Sequence, residues 1–228
     1  MQIETLADAA AVAKRAAEFI AAEARAAVQA RGRFTIAVSG GSTPWQMLRL
    51  LATEDVPWHA VHLFQVDERV APAGGAERNL THIGETLLAN APLPPANVHA
   101  MPVEAGDLDA AARQYAQVLS DTAGSPPVLD LVHLGLGGDG HTASLVPGDA
   151  ALGVIDTDVA LTGEYMGRRR MTLTYPLINR ARRVLWLATG TEKRAMLACL
   201  LAADATIPAG RIEQQHALVL TDRAAIGP

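Results

Sequence analysis

The run Gly135-Leu136-Gly137-Gly138-Asp139-Gly140-His141-Thr142-Ala143-Ser144 gathers the groups in this chain best suited to chemistry. Its glycines permit a tight, open loop, and His141 follows the last of them. An imidazole on such a loop reaches solvent and titrates near neutrality, which suits a general base. Asp139 lies two residues away and is a candidate to orient the ring. The competing reading is a histidine that caps a loop or fills a core. The first six residues also match G-x-G-x-x-G, the dinucleotide fingerprint. Three features count against a nucleotide: the match lies mid-chain, a titratable histidine follows at once, and Pro147-Gly148 interrupts the helix that would carry a pyrophosphate.

Two further clusters carry polar chemistry. Ser39-Gly40-Gly41-Ser42-Thr43-Pro44 combines adjacent glycines, hydroxyls and a helix start. Backbone N–H groups there can hold a phosphate or a developing oxyanion. It is not a Walker A loop, because no Gly-Lys-Ser/Thr follows. A plain turn with an N-cap explains it equally well. Asp67-Glu68-Arg69 puts two carboxylates and a guanidinium together, and by itself reads more readily as a surface ion pair. Arg168-Arg169-Arg170 and Lys193 supply cations suited to an anion, or simply solvated charge. The other histidines, His59, His62, His82, His99, His133 and His216, read as structural and show no ligand spacing, so no metal site is expected. Cys199 reads as a buried, inert thiol on a helix face.

The intervening segments must position these groups. A long Ala-rich helix is predicted from Ala7 to Ala30, and a buried strand over Phe34 to Val38. A helix follows, with Thr43 as N-cap and Pro44 in its first turn. Val61 to Val66 reads as a strand ending in a loop at Asp67-Glu68-Arg69, and Asn79 to Ala89 as a helix. Asp107 to Ser120 is a further helix, and Leu129 to Leu134 a strand opening onto the glycine loop. Strands are predicted at Met171–Thr174, Val184–Ala188 and Ala217–Leu220, with a helix from Glu192 to Ala202. Thr221-Asp222 is suited to capping a closing turn. Alternating strands and helices imply an α/β fold: a mostly parallel sheet with helices on both faces, Rossmann-like and three-layered. One domain over residues 1–228 is expected. In such sheets ligands bind beyond the carboxyl ends of the strands, so the loops at Ser39, Asp67 and Gly135 should meet on one rim.

Bulk composition narrows the partners. Half of the 228 residues are apolar and 19% are charged, enough apolar surface for a substantial core. A formal net charge of −5 argues against nucleic acid or an anionic membrane as the main partner. A single cysteine excludes an internal disulfide and fits a reducing compartment. Met1-Gln2-Ile3-Glu4 has neither a basic nor an apolar signal region, and no apolar run approaches the ~20 residues needed to span a bilayer. A cytoplasmic protein is expected, as a monomer or small homo-oligomer.

In series, these motifs resemble a known family. Ser39 to Pro44, Asp67-Glu68-Arg69, Leu134 to Leu145, Arg170-Met171-Thr172-Leu173-Thr174 and Gly190-Thr191-Glu192-Lys193 occur in the order seen in 6-phosphogluconolactonases. The related glucosamine-6-phosphate deaminases and isomerases have a similar loop, but their histidine is typically followed by Ile-Ala-Phe-Asn-Glu. The stretch Thr142-Ala143-Ser144-Leu145-Val146-Pro147-Gly148 is similar to the lactonase version, although Val146 stands where an aromatic is frequent. The resemblance implies hydrolysis of a phosphorylated sugar lactone without metal or redox cofactor. His141 is then the expected base and Asp67 the second polar catalytic group. Gly40, Gly41, Ser42, Thr43, Arg69, Asp139, Arg170 and Lys193 form the expected substrate-binding set. Within it, Gly40 and Gly41 amides are candidate oxyanion donors. By resemblance, Ser42, Thr43, Arg170 and Lys193 hold the 6-phosphate, and Arg69 steers the anion. An amino-sugar-phosphate deaminase and a non-catalytic nucleotide-binding module are the alternatives.

Overall fold

The structure, a computed structural model, describes residues 1–227. Its centre is a seven-stranded, all-parallel sheet. The strands are β1 (Gln2–Leu6), β2 (Phe34–Val38), β3 (Val61–Gln65), β5 (Val98–His99), β6 (Leu131–Gly135), β9 (Val184–Ala188) and β10 (Ala217–Asp222). Their spatial order is β1-β10-β9-β6-β2-β3-β5. A second sheet, antiparallel and three-stranded, joins β4 (Asp67–Arg69), β8 (Arg170–Leu173) and β7 (Val159–Leu161) in the order β4-β8-β7. The α-helices are α1 (Ala9–Arg31), α2 (Ser42–Leu51), α3 (Asn79–Ile83), α4 (Leu108–Ala123), α5 (Tyr175–Arg180), α6 (Arg194–Leu201) and α7 (Arg223–Ile226).

Strands β2, β9 and β10 are buried along their whole length. A parallel sheet covered on both faces leaves no side of a central strand for water, so continuous apolar runs result. Two cores lie on the two faces. Phe34, Ile36 and Val38 pack with Ile20, Met47 and Leu48 from α1 and α2. Ala37, Phe64, Leu134 and Trp186 pack with Tyr115, Leu177 and Leu197 from α4, α5 and α6. Asp8 begins α1 by accepting a bond from the Ala11 amide at 2.9 Å. The alanines of α1 (Ala13, Ala16, Ala17, Ala24) are fully buried and let it lie close on the sheet.

Several expectations need correction. Asp67-Glu68-Arg69 is strand β4, not a loop. Met171–Thr174 is indeed largely strand, but β8 pairs antiparallel with β4 outside the main sheet. Local β-propensity identifies an extended segment and leaves its partner undetermined. Helix α2 starts at Ser42 with Gly41 before it, so Thr43 is no N-cap. The Thr43 hydroxyl instead bonds the Thr189 hydroxyl at 2.8 Å. The segment after Gly190 begins with a 3-10 turn, Thr191–Lys193, before α6. Cys199 is half-buried. Short elements with little apolar periodicity, β1, β5, β7 and α5, escaped the sequence reading.

His133, on β6, links the core to the loop after β2. Its Nδ1 accepts from the Ser39 amide at 3.2 Å, and burial pushes the imidazole down to about 3 from an ordinary 6.5. The unfolded ring therefore takes up a proton at a pH where the folded ring does not. The stability of the neutral ring is present above about pH 6.5 and is lost as pH falls toward about 3. The slope from this one residue is about 1.4 kcal/mol per pH unit. His133→Asn keeps an acceptor for Ser39 and should flatten urea-melt stability against pH across that window by about this slope. An unchanged slope would show that His133 does not carry the acid sensitivity.

Candidate active site

From β2 the chain runs outward to β3 and β5, whereas from β6 it runs outward to β9 and β10. The carboxyl ends of β2 and β6 thus flank a topological switch point, where α/β sheets form their ligand crevices. A cavity of about 250 Å³ lies there, lined by Ser39, Gly40, Gly135, Gly137, His141 and Lys193 among others. That is slightly below the ~300–1,000 Å³ of drug-sized pockets and suits a small polar ligand. A larger groove of about 670 Å³ runs between α4 and β7. It holds charges of both signs and none of the glycine loops, so the chemistry belongs to the smaller cavity.

Loop geometry explains His141. The Gly137 amide donates to the His141 carbonyl at 2.8 Å, and the Thr142 hydroxyl to the Gly135 carbonyl at 2.9 Å. The imidazole lies against Gly137 so closely that a Cβ there would fall 2.1 Å from its Nδ1. Asp139 Oδ1 accepts from the His141 amide at 3.1 Å and meets Nδ1 at 2.5 Å. Burial alone would push the Asp139 carboxyl up. The bonds from the His141 amide and ring and from the Tyr165 hydroxyl outweigh it and hold the group below the usual carboxylate range. A carboxylate can only accept, so Nδ1 carries a proton, and in the neutral imidazole the lone pair then lies on Nε2. Among the described residues, no side chain bonds Nε2.

A Gly137→Ala substitution should therefore leave the fold intact and swing the ring aside. Displacement of a catalytic group by about 1 Å can cost about 10²-fold in rate. Turnover should fall on that order with an unchanged circular dichroism spectrum and melting temperature. Parent-like turnover would mean that this ring position is unimportant.

Asp67 does not line the cavity. It is buried, accepts from the Ser144 hydroxyl at 2.6 Å, and neighbours Ala143, which does line the cavity, through that bond. Burial raises its carboxyl, while the Ser144 bond and the charges of Arg170 and Arg69 pull it back only in part. Asn79 Nδ2 donates to the Asp67 carbonyl at 3.0 Å. Its Oδ1 crowds Gly40, where a Cβ would sit 2.3 Å away. Glu68 does different work. It is fully buried and accepts from Gln65 Nε2 (2.7 Å), the Arg69, Asn79 and Leu80 amides (2.8, 2.9 and 2.8 Å), and faces Arg78 Nε at 3.2 Å. It ties β4 to the start of α3.

The cations divide. Lys193 lines the cavity, on a turn held by Asp222, whose carboxylate accepts from the Gly190 amide at 3.1 Å. Arg170 is 5% exposed, and its guanidinium lies 5.0 Å from the centre of the Tyr165 ring. Its Nε is buried without a bond partner among the described residues. Arg69 reaches the Glu77 carbonyl at 2.5 Å and the charge field of Asp67. Gly41 and Ser42 are exposed and Thr43 faces Thr189; none of the three lines the cavity. The sequence reading missed Ser39, Asn79 and Tyr165. Ser39 stands beside a glycine pair at a strand end, a signal that was available. Asn79 and Tyr165 carry no such mark. Among the described residues no three His, Cys, Asp or Glu side chains cluster as metal ligands.

The family described as glucosamine-6-phosphate isomerases/6-phosphogluconolactonase matches residues 7–221. The chain belongs to this family. It is 37% identical to a 6-phosphogluconolactonase of Synechocystis sp. over 225 residues, covering 96% of this chain and 93% of the relative. A 6-phosphogluconolactonase of Mycobacterium tuberculosis is 39% identical over 215 residues, 88% of this chain and 87% of its own. The crystal structure of 6-phosphogluconolactonase from Thermotoga maritima superposes with a TM-score of 0.86 at 28% identity, covering 97% of this chain and 98% of that one. A monomeric glucosamine-6-phosphate deaminase has the same fold, with a TM-score of 0.84 at 19% identity. The parallel sheet with its helices is thus the α/β fold of this family.

Proposed function

We propose that this chain hydrolyses 6-phospho-D-glucono-1,5-lactone to 6-phosphogluconate, the lactone-opening step of the oxidative pentose phosphate pathway. The observation that carries the mechanism is the free Nε2 of His141, with Nδ1 held by Asp139, at the rim of the switch-point cavity. Nε2 takes a proton from water as the water oxygen bonds the lactone carbonyl carbon. The resulting tetrahedral oxyanion is held at the Gly40 backbone, which lines the cavity. It collapses with cleavage of the bond to the ring oxygen, which receives the proton from His141. The products are a carboxylic acid, ionised at neutral pH, and a hydroxyl. No redox change occurs, and the strained ester needs no further activation.

Lys193 is the cavity cation for the phosphate. Arg170 and Arg69 add positive charge beside Asp67, which acts through Ser144 and Arg170 to set the polar wall of the site. The same reading makes the protein a cytoplasmic enzyme, consistent with a single cysteine that has no partner for an internal disulfide and with the absence, among the described residues, of any helix long and apolar enough to cross a membrane.

The test is a pH-stat or coupled assay of freshly prepared 6-phosphogluconolactone, read in the first minutes and corrected for spontaneous opening. Catalysed acid release with strong preference over the unphosphorylated lactone is expected. Ammonia release from glucosamine 6-phosphate, without lactone hydrolysis, would replace this reading with the deaminase one.

A further inference from the structure

We propose that Tyr165 is a positioning residue for this reaction: its hydroxyl locks the Asp139–His141 pair, and its ring seats Arg170 beside the same site. The inference deepens the lactonase reading and rests on it.

Tyr165 stands at the tip of the hairpin between β7 and β8. Its amide donates to the Arg168 carbonyl at 3.0 Å, and the Arg168 amide donates back at 3.3 Å. The two residues between, Met166 and Gly167, have φ of +53° and +76°. These are the signs of a type I′ turn, whose twist matches that of the flanking strands. A methionine in the left-handed region costs about 1 kcal/mol, and Met166 is 81% exposed, so no burial of its own offsets that cost. The hairpin is also tied to the body by Arg168 with Glu77 at 2.7 Å, and by the Gly163 amide to Asp149 at 2.9 Å. Tyr165 is therefore carried on a short, doubly anchored frame.

That frame delivers three contacts to the site. The Tyr165 hydroxyl donates to Asp139 Oδ2 at 3.0 Å. Its ring meets the His141 ring edge-on, with centroids 5.5 Å apart and planes at 66°. Its face lies 5.0 Å from the Arg170 guanidinium. Asp139 sits between Gly138 and Gly140 on a solvated loop, and its backbone does little to restrain its carboxylate. One oxygen is committed to His141. Among the described residues, only Tyr165 bonds the other. With both oxygens held, the carboxylate plane is fixed, and with it the direction of Nε2. Burial, and then Asp139 itself, raise the phenol above its ordinary value, so Tyr165 keeps its proton and serves as a donor.

The hydroxyl and the ring predict different kinetic signatures. Tyr165→Phe removes only the bond to Asp139. It should lower kcat about tenfold, the scale of a lost hydrogen bond to a charged group, with KM little changed. Tyr165→Leu also removes the face under Arg170 and should in addition raise KM severalfold. In an Asp139→Asn background Tyr165→Phe should add almost nothing, because the two act as one unit. Melting temperatures should stay at the parent value, since the side chain is at the surface of the hairpin tip. A second readout is independent of turnover. The ¹⁵N shifts of the His141 ring should report the Nδ1–H tautomer in the parent and a mixture of tautomers in Tyr165→Phe. Parent-like kcat in Tyr165→Phe, an undiminished effect in the Asp139→Asn background, or unchanged ring shifts would each overturn the proposal. A parent chain inactive on the lactone would sink the lactonase reading instead, and the ring shifts would still decide the role of Tyr165.

Discussion

His141→Ala lowers kcat for the phosphorylated lactone by about 10²–10⁴-fold, the usual contribution of a positioned general base, and leaves KM nearly unchanged. The imidazole acts on the proton of the attacking water, and that interaction strengthens only as the transition state forms. The residual rate comes from the oxyanion donors and from binding, which the substitution does not touch. The fold should be unaffected, because the side chain is 24% exposed and projects from a loop. Its loop is held by main-chain bonds and by the Thr142 hydroxyl. The measurement is initial-rate kinetics with the spontaneous opening subtracted. Equal turnover in variant and parent would remove His141 from the chemistry. A raised KM at constant kcat would make it a binding group.

Glu68→Ala is expected to produce the largest loss of stability, about 3–5 kcal/mol, as for a buried ion pair broken on one side. The carboxylate is wholly buried, and its partner Arg78 has a side chain only 4% exposed. Arg78 also reaches Glu104 at 2.6 Å, and Glu104 is half in water. Deleting Glu68 strands most of a buried guanidinium and leaves the Asn79 and Leu80 amides at the start of α3 without their acceptor. A typical domain has only about 5–15 kcal/mol of stability, so much of the total is at stake. Glu68→Gln retains one oxygen, enough for the Arg69 and Asn79 amides that share Oε1 but not for the Leu80 amide, Gln65 and Arg78 at Oε2, and should recover only part of the loss. Urea unfolding followed by circular dichroism reads both. A midpoint for Glu68→Ala equal to that of the parent would show that the buried network is dispensable.

The neighbouring carboxylates Asp67 and Glu68 thus divide their work, although the sequence makes them look alike. Alternation along β4 points them in opposite directions. Glu68 turns toward α3 and a set of amides; Asp67 turns toward Ser144 and Arg170. No local signal separates these outcomes, because the direction of each side chain follows from the antiparallel pairing of β4 with β8.

Local chemistry was enough to mark much of the molecule. The apolar runs at Phe34–Val38 and Val184–Ala188 coincide with β2 and β9, because strands buried on both faces leave no polar position to blur the pattern. The glycine loop ending at His141 was legible because tight turns demand glycine and exposed histidines are chemically distinctive. The tertiary structure decided the rest. Which strands pair, and that Asp67–Arg69 and Arg170–Leu173 leave the main sheet to form another, depends on contacts about a hundred residues apart in the chain. So does the arrival of Tyr165 on Asp139 and of Lys193 at the cavity that Gly40 also lines. Periodicity is a property of one segment and its solvent, whereas a site is made from the loops of several segments. The order in which strands cross the sheet brings those loops together, and no single stretch of residues encodes that order.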